Sequence, residues 1–286
     1  MWPFDRGAVV PVLRFAGPIG MATPLRPGLS IGAVAGPIAK AFAISKLPAV
    51  AVAINSPGGS PAQSSLIFKR IRQHAKETGK KVYVFCEDVA ASGGYYLAVA
   101  GDEIYADPSS IVGSIGVISA SFGLDKAIKR LDIERRVHTS GEMKGSLDPF
   151  RPENPEDVAL LKSIQRDIHD VFIGVVKDRR AGRLKGADGE LFSGAFWSAR
   201  TALDLGLIDG ITDMRSKMRE VFGEKVRLRA VPMVRGGLLS RLQRLPGVGA
   251  AATAGAMLEG GGQGLAFAED LMSAIEARAL WSRYGL

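Results

Sequence analysis

The sequence predicts an α/β fold assembled from βαβ units. Three observations carry this: short valine- and isoleucine-rich runs recur along the chain, amphipathic helical periodicity follows several of them, and Gly- or Pro-bearing turns punctuate the two.

Taken in order, residues 8–14 (AVVPVLR) and 48–54 (PAVAVAI) read as strands. The second runs into Asn55-Ser56-Pro57-Gly58-Gly59-Ser60, which cannot continue a strand. Residues 64–78 place Leu66, Ile67, Ile71 and Ala75 at helical spacing among charges, and Gly79 closes that helix. Lys81 to Cys86 is a further strand, followed by Asp88-Val89-Ala90-Ala91-Ser92-Gly93-Gly94 and a helix over 95–100. Residues 102–106 and 112–119 are expected as short strands, 125–131 as a helix and 135–139 as extended chain. Pro155 suits a first helical turn, and one long amphipathic helix is expected from there to Arg180. Beyond about residue 230 the pattern weakens, and Gly260-Gly261-Gly262 breaks the chain before a terminal helix over 267–284. The expected organisation is therefore a main domain over 1–230 and a basic, helical extension over 231–286.

With 286 residues and 47% hydrophobic content, the chain can bury one large core. Its 23% of charged residues is ordinary for a folded domain. Cys86 is the only cysteine, so no internal disulfide is available, and within Val82-Tyr83-Val84-Phe85-Cys86 it reads as a small buried hydrophobe. The start, Met1-Trp2-Pro3-Phe4-Asp5-Arg6, lacks the basic-then-apolar form of a secretory signal. The most apolar late stretch, 248–258, falls short of the ~20 residues a bilayer span requires. A cytoplasmic protein, or one peripheral to the inner membrane surface, is the expectation.

Net charge is +8, and it is concentrated: between Met214 and Leu245 nine Lys/Arg stand against Glu220 and Glu224. A solvated face accounts for such a stretch, and contact with anionic lipid is the sharper alternative. Leu238, Leu239, Leu242 and Leu245 with Arg241 and Arg244 would form a basic amphipathic helix, or else cover a subunit contact. No nucleic-acid motif or interleaved aromatic accompanies the charge, so a nucleic-acid role ranks low. Three scattered histidines and one cysteine make no zinc pattern.

The chemistry concentrates at Ser92. It lies between a strand end and a helix start among Ala91, Gly93 and Gly94, where small neighbours admit a substrate backbone and free N–H groups favour negative charge. The turn at Gly58 and Gly59 offers a second set of amides for an oxyanion. Serine needs a base. His74 and His169 fall in charged amphipathic helices and His138 in extended chain, so each reads as structural. Lys144 sits in Gly141-Glu142-Met143-Lys144-Gly145-Ser146-Leu147-Asp148-Pro149-Phe150, with Met143, Leu147 and Phe150 available to dry it. By spacing alone it is an exposed loop lysine.

Five ordered motifs add to this: Asn-Ser-Pro-Gly-Gly at 55–59, Ala-Ala-Ser-Gly-Gly-Tyr-Tyr-Leu-Ala at 90–98, Gly-Ser-Ile-Gly-Val at 113–117, the 141–150 loop, and Ala-Leu-Asp-Leu-Gly-Leu-Ile-Asp at 202–209. Across residues 8–215 the chain resembles the signal peptide peptidase A (SppA/SohB-like) family in its short, single-domain form. The resemblance implies a Clp/crotonase-like fold and peptide-bond hydrolysis by a Ser–Lys dyad without a cofactor. It implies Ser92 as nucleophile, Lys144 as general base, Ser114 orienting that lysine, and oxyanion donors around Gly58, Gly59 and Gly93. It further implies a homo-oligomer whose active sites lie at subunit contacts, acting on a peptide or protein such as a signal-peptide remnant. Members commonly carry an N-terminal membrane anchor, which is not visible here, and this leaves the substrate open. The competing readings are a crotonase-like acyl-CoA enzyme working through carboxylates, a non-catalytic scaffold, and a Ser–His–Asp peptidase using a histidine such as His138.

Overall fold

The computed structural model describes residues 8–20, 28–233, 275 and 278–285. The elements in chain order are β1 (Val9–Ala16), α1 (Ile31–Ile44), β2 (Ala49–Ser56), α2 (Pro61–Thr78), β3 (Lys81–Ala91), α3 (Gly93–Ala98), β4 (Glu103–Ala106), β5 (Ile111–Gly113), α4 (Asp125–Arg130), α5 (Pro155–Arg179), α6 (Asp188–Leu191), β6 (Phe196–Ser198), α7 (Ala199–Asp204), β7 (Gly210–Ile211), α8 (Met214–Phe222) and β8 (Arg227–Ala230). The strands form one sheet in the order β6-β5-β3-β2-β1-β8, with β4 and then β7 branching from β3. All its pairings are parallel except β5 with β6. This is the α/β architecture that the alternating pattern predicts.

Parallel central strands are covered on both faces, which explains why β2 reads as a continuous apolar run rather than an alternating one. One face packs against α1, α2, α3 and α5 through Leu13, Phe15, Ile54, Ile67, Ile71, Val84 and Phe172. The other packs against α8, where fully buried Met218 meets Val10, Ala51, Tyr83 and Phe85. Cys86 lies in the first core, and burial pushes its thiol up to about 12, as befits a buried hydrophobe.

Local chemistry sets the ends. Ser60 caps α2 by accepting the Gln63 N–H, Pro61 takes the first turn, and Gly79 ends the helix in the left-handed conformation. Asn154 caps α5 in the same way, ahead of Pro155. Helix α1 has no signature in the sequence: it is rich in Ala and Gly, carries Pro37 inside it, and has Lys40 as its one charged residue. One expected strand is corrected: residues 112–119 pair only as far as Gly113, because Gly113 and Ser114 both take positive φ, 114° and 54°. The segment 135–139, expected as extended chain, joins no strand of the sheet.

The expected domain boundary at 230 falls at the end of β8, yet Val231 and Met233 beyond it pack on the same core. The Gly260–Gly262 break, the leucines of 238–245 and most of the terminal helix lie outside the described residues. At the very end, Trp281 and Tyr284 pack on Val89, Ala91 and Ile111, with the Tyr284 ring 5.1 Å from that of Phe196.

Candidate active site

The site grows from a fork in the sheet. Strand β3 pairs with β4 over Tyr83–Cys86 and then with β5 over Val89–Ala91. Where it changes partner, the register with β2 shifts between Ile54 and Ser56. Asn55 closes this irregularity, its Nδ2 donating to Asp88 Oδ2 at 2.5 Å and its Oδ1 accepting the Val89 N–H at 3.3 Å. Ser56 donates to the Gly17 carbonyl at 2.7 Å and accepts the Gly58 N–H at 3.3 Å. Both polar residues of the 55–59 turn therefore have structural work, and the glycines are left to shape the surface.

Ser92 stands at the end of β3 as the residue preceding α3, with φ 52° and ψ −122°. A non-glycine residue there carries strain of about 1–3 kcal/mol. Its amide is fixed to the Gly113 carbonyl at 2.8 Å, but its side chain does not cap α3 and has no hydrogen-bond partner among the described residues. The backbone thus turns the hydroxyl outward, as in strand-to-helix nucleophile turns. Close approach demands glycine around it. A Cβ on Gly58, at φ 105°, would stand 2.7 Å from Ser92 Cβ, and one on Gly94 would stand 2.4 Å from the Ser56 carbonyl oxygen. The Gly59 and Gly93 amides lack partners among the described residues, whereas the Gly58 amide is engaged by Ser56.

Beside Ser92 runs a groove of about 330 Å³. Its sides are the Gly59–Ser65 turn of α2, Gly116 and Val117, and Ile168, Val171 and Phe172 of α5; Tyr96 forms part of its floor. Among the described residues no carboxylate lines it, so none of them offers acid–base chemistry of the acyl-CoA type there. Tyr96 is held by Phe68, ring centroids 5.6 Å apart, and Phe172, 4.8 Å. Its neighbour Tyr95 is wholly buried and donates to the Leu207 carbonyl at 2.7 Å. Burial, first among the influences on Tyr95, drives its hydroxyl far above the usual phenol range.

Ser114 is buried next to the Gly113 carbonyl that holds Ser92, and its own amide donates to the Ala195 carbonyl at 2.7 Å. Lys144 is placed differently. It sits in a 3₁₀ turn, Glu142–Gly145, which is solvent-exposed, and it is not among the residues lining the groove. The single chain therefore gathers Ser92, Gly58, Gly59, Gly93 and Ser114 but leaves Lys144 apart. His138 is exposed on the same segment and does not line the groove either.

The structure also revises two histidines that the sequence assigns to charged helix faces. His74 stacks on Phe42 at 5.6 Å, with its side chain 19% exposed. His169 is half-buried beside the groove, and its Nε2 meets the Ile115 carbonyl at 3.1 Å. A partner 54 positions away leaves no signal in local sequence.

A forked parallel sheet with a strained serine at the strand-to-helix turn, flanked by glycine amides, is the Clp/crotonase-like α/β architecture. The family model for "Peptidase family S49" matches residues 74–225, and the chain belongs to that family. Over 278 residues, 97% of this chain, it is 52% identical to a Brucella abortus protein named "Na(+)/H(+) antiporter NhaA", of which the match covers 37%. That name describes ion transport, whereas the shared region carries an α/β sheet in which no described helix is long and apolar enough to cross a membrane. The chain is 31% identical over 169 residues to "Serine protease SPPA, chloroplastic" of Arabidopsis thaliana, covering 58% of this chain and 24% of that protein. It is 28% identical over 224 residues to "Protease 4" of Salmonella typhi, covering 74% of this chain and 34% of that protein. It thus spans well under half the length of these three relatives.

Proposed function

We propose that this chain is a serine peptidase that attacks peptide carbonyls with Ser92 and uses Lys144 as general base. The observation that carries the reading is Ser92 itself: strained in φ, its hydroxyl unengaged, and opening onto an apolar groove beside two unpartnered glycine amides. Strain at a surface serine has no structural benefit of its own, and aiming a nucleophile supplies a reason for it. Membership of peptidase family S49 supports the same chemistry.

In this mechanism the substrate enters extended, with one apolar side chain in the groove of Tyr96, Ile168, Val171 and Phe172. The Gly59 and Gly93 amides, with Gly58 shaping the turn, stabilise the tetrahedral oxyanion. Lys144, as the base, takes the Ser92 proton and returns it to the leaving amine, and water then hydrolyses the acyl-enzyme. Ser114 orients the lysine. No cofactor takes part.

Because Lys144 is exposed and outside the groove of its own chain, we place the complete site in a homo-oligomer, one subunit supplying Ser92 and its neighbour Lys144. The surface fits this: Ile118, Phe122, Leu131, Ile133 and Met143 are all more than half exposed, an apolar display suited to burial against another copy. Signal-peptide remnants and other membrane-associated peptides suit an apolar groove. The basic stretch that includes the exposed Arg215 and Arg219 would hold the enzyme against an anionic membrane surface.

The test uses the purified assembly and a mixed fluorogenic peptide library. Ser92→Ala and Lys144→Ala each abolish cleavage while leaving folding and assembly intact. Mixing the two inactive variants restores part of the activity, since some contacts then pair an intact serine with an intact lysine. Full activity in Lys144→Ala would refute the dyad, and mixtures that stay inactive would place both residues in one chain.

A further inference from the structure

The segment that carries Lys144 leaves the sheet and returns to it through two legs. The outgoing leg is Ser114 to Val117, and the returning leg is α5. From Gly116 to Val171 no residue is buried, so the segment is an arm with little hold on the core. Helix α5 is bolted down further along, where Arg179 bonds the Val99 and Gly101 carbonyls at 3.0 and 2.9 Å and Arg180 bonds Gly206. Between those bolts and the free arm lies His169.

Its Nε2 meets the Ile115 carbonyl at 3.1 Å, and among the described residues this is the only hydrogen bond joining the two legs. A carbonyl can only accept, so Nε2 carries the hydrogen. The bond sits where it bears on the groove. Ile115 lies between Ser114 and Gly116, while His169 is flanked by Ile168 and lies one turn from Phe172. Gly116 and Val117 on one leg, and Ile168, Val171 and Phe172 on the other, are facing sides of the apolar groove at Ser92.

We infer that His169 is a positioning residue that sets the width of this groove by tying the Ser114–Val117 segment to α5. It touches neither substrate nor Ser92; it acts through the wall it holds. The inference rests on the peptidase reading for its kinetic consequence but not for its structural one, and the test separates the two. Three proteins are compared as intact assemblies: wild type, His169→Phe, which keeps a ring and loses the donor, and His169→Gln, whose amide restores one.

In the peptide containing residues 114–117, exchange of the Ser114 amide, which donates to the Ala195 carbonyl at 2.7 Å next to the tied Ile115, is expected to quicken about tenfold in His169→Phe and to return near wild type in His169→Gln, the scale of one net hydrogen bond. In peptide cleavage, KM for substrates with a large apolar residue at the scissile bond rises about tenfold in His169→Phe, while kcat and the constants for an alanine substrate change little. Unchanged exchange in His169→Phe overturns the tie. Faster exchange without any change in apolar preference reduces His169 to a brace of the fold and overturns its positioning role. Should wild type cleave no peptide, the peptidase reading alone falls, and exchange at 114–117 still decides whether His169 holds the wall.

Discussion

The part of the molecule that carries Ser92 and the arm that carries Lys144 are held in opposite ways. Around Ser92 the backbone is over-determined: the Gly113 carbonyl fixes its amide, Asn55 and Ser56 lock the turn in front of it, and Tyr95 anchors the following helix to Leu207. In the arm, α4 buries no residue and the turn bearing Lys144 is exposed. What order it has is internal, such as the Arg135–Asp148 ion pair and the Arg135 guanidinium 4.8 Å over the Phe150 ring. Strain persists where packing is dense, and the arm has no comparable packing within its own chain.

The largest expected effect lies on the dense side. Asp209 accepts hydrogen bonds from Arg180 at 2.7 Å, Arg183 at 3.1 Å and the Ile104 amide at 2.7 Å, joining α5 to the sheet. Arg180 is 1% exposed, so removing its partner leaves a buried charge. Asp209→Ala should cost about 3–5 kcal/mol in urea denaturation. A loss within experimental error would mean that the dense half is held by its apolar core alone.

A smaller, pH-dependent effect belongs to Glu103. Burial alone would raise its carboxyl, but hydrogen bonds from Lys81 and Tyr105, with the charges of Lys81 and Lys217, outweigh that and hold it below the usual carboxylate range. A depressed carboxylate contributes stability that is present above its unfolded value and lost as pH falls through its folded value. Melting temperatures of wild type and Glu103→Gln should therefore differ most at neutral pH and converge in acid. Parallel curves across that range would remove Glu103 from the account.

The same contrast decides what can be read from sequence. Helices α2 and α5 are legible because burial on one face imposes a period on their residues, strand β2 and the first half of β3 because burial on both faces leaves short continuous apolar runs, and Ser92 stands out through the small residues that close packing requires. Helix α1 is not legible, since Ala, Gly and an internal proline give it no polar face, and its Ser30 N-cap stands before no recognisable helical period. The last five residues of β3 are also missed, because a strand that changes partner midway carries turn-like residues at the fork. The strain at Ser92 and the His169 tie arise only from tertiary contact. Lys144 is the extreme case: neither its sequence neighbours nor its own chain place it beside Ser92, and the resemblance alone marks it as the base.

The smallest expected effect on the fold, and the most telling, lies in the arm. Phe122 is 83% exposed and Leu131 70%. Replacing both with serine removes little packing within one chain, so the stability of an isolated subunit should change by no more than about 0.5 kcal/mol. If the arm is completed by another copy, the same pair of changes should shift the protein to a smaller species in sedimentation and abolish peptide cleavage, leaving Ser92 intact but without a lysine. Lower stability of the isolated subunit would show that the arm packs on its own chain after all. An unchanged assembly with full activity would mean that this apolar surface is not where copies meet, and the lysine would have to reach Ser92 by some other contact.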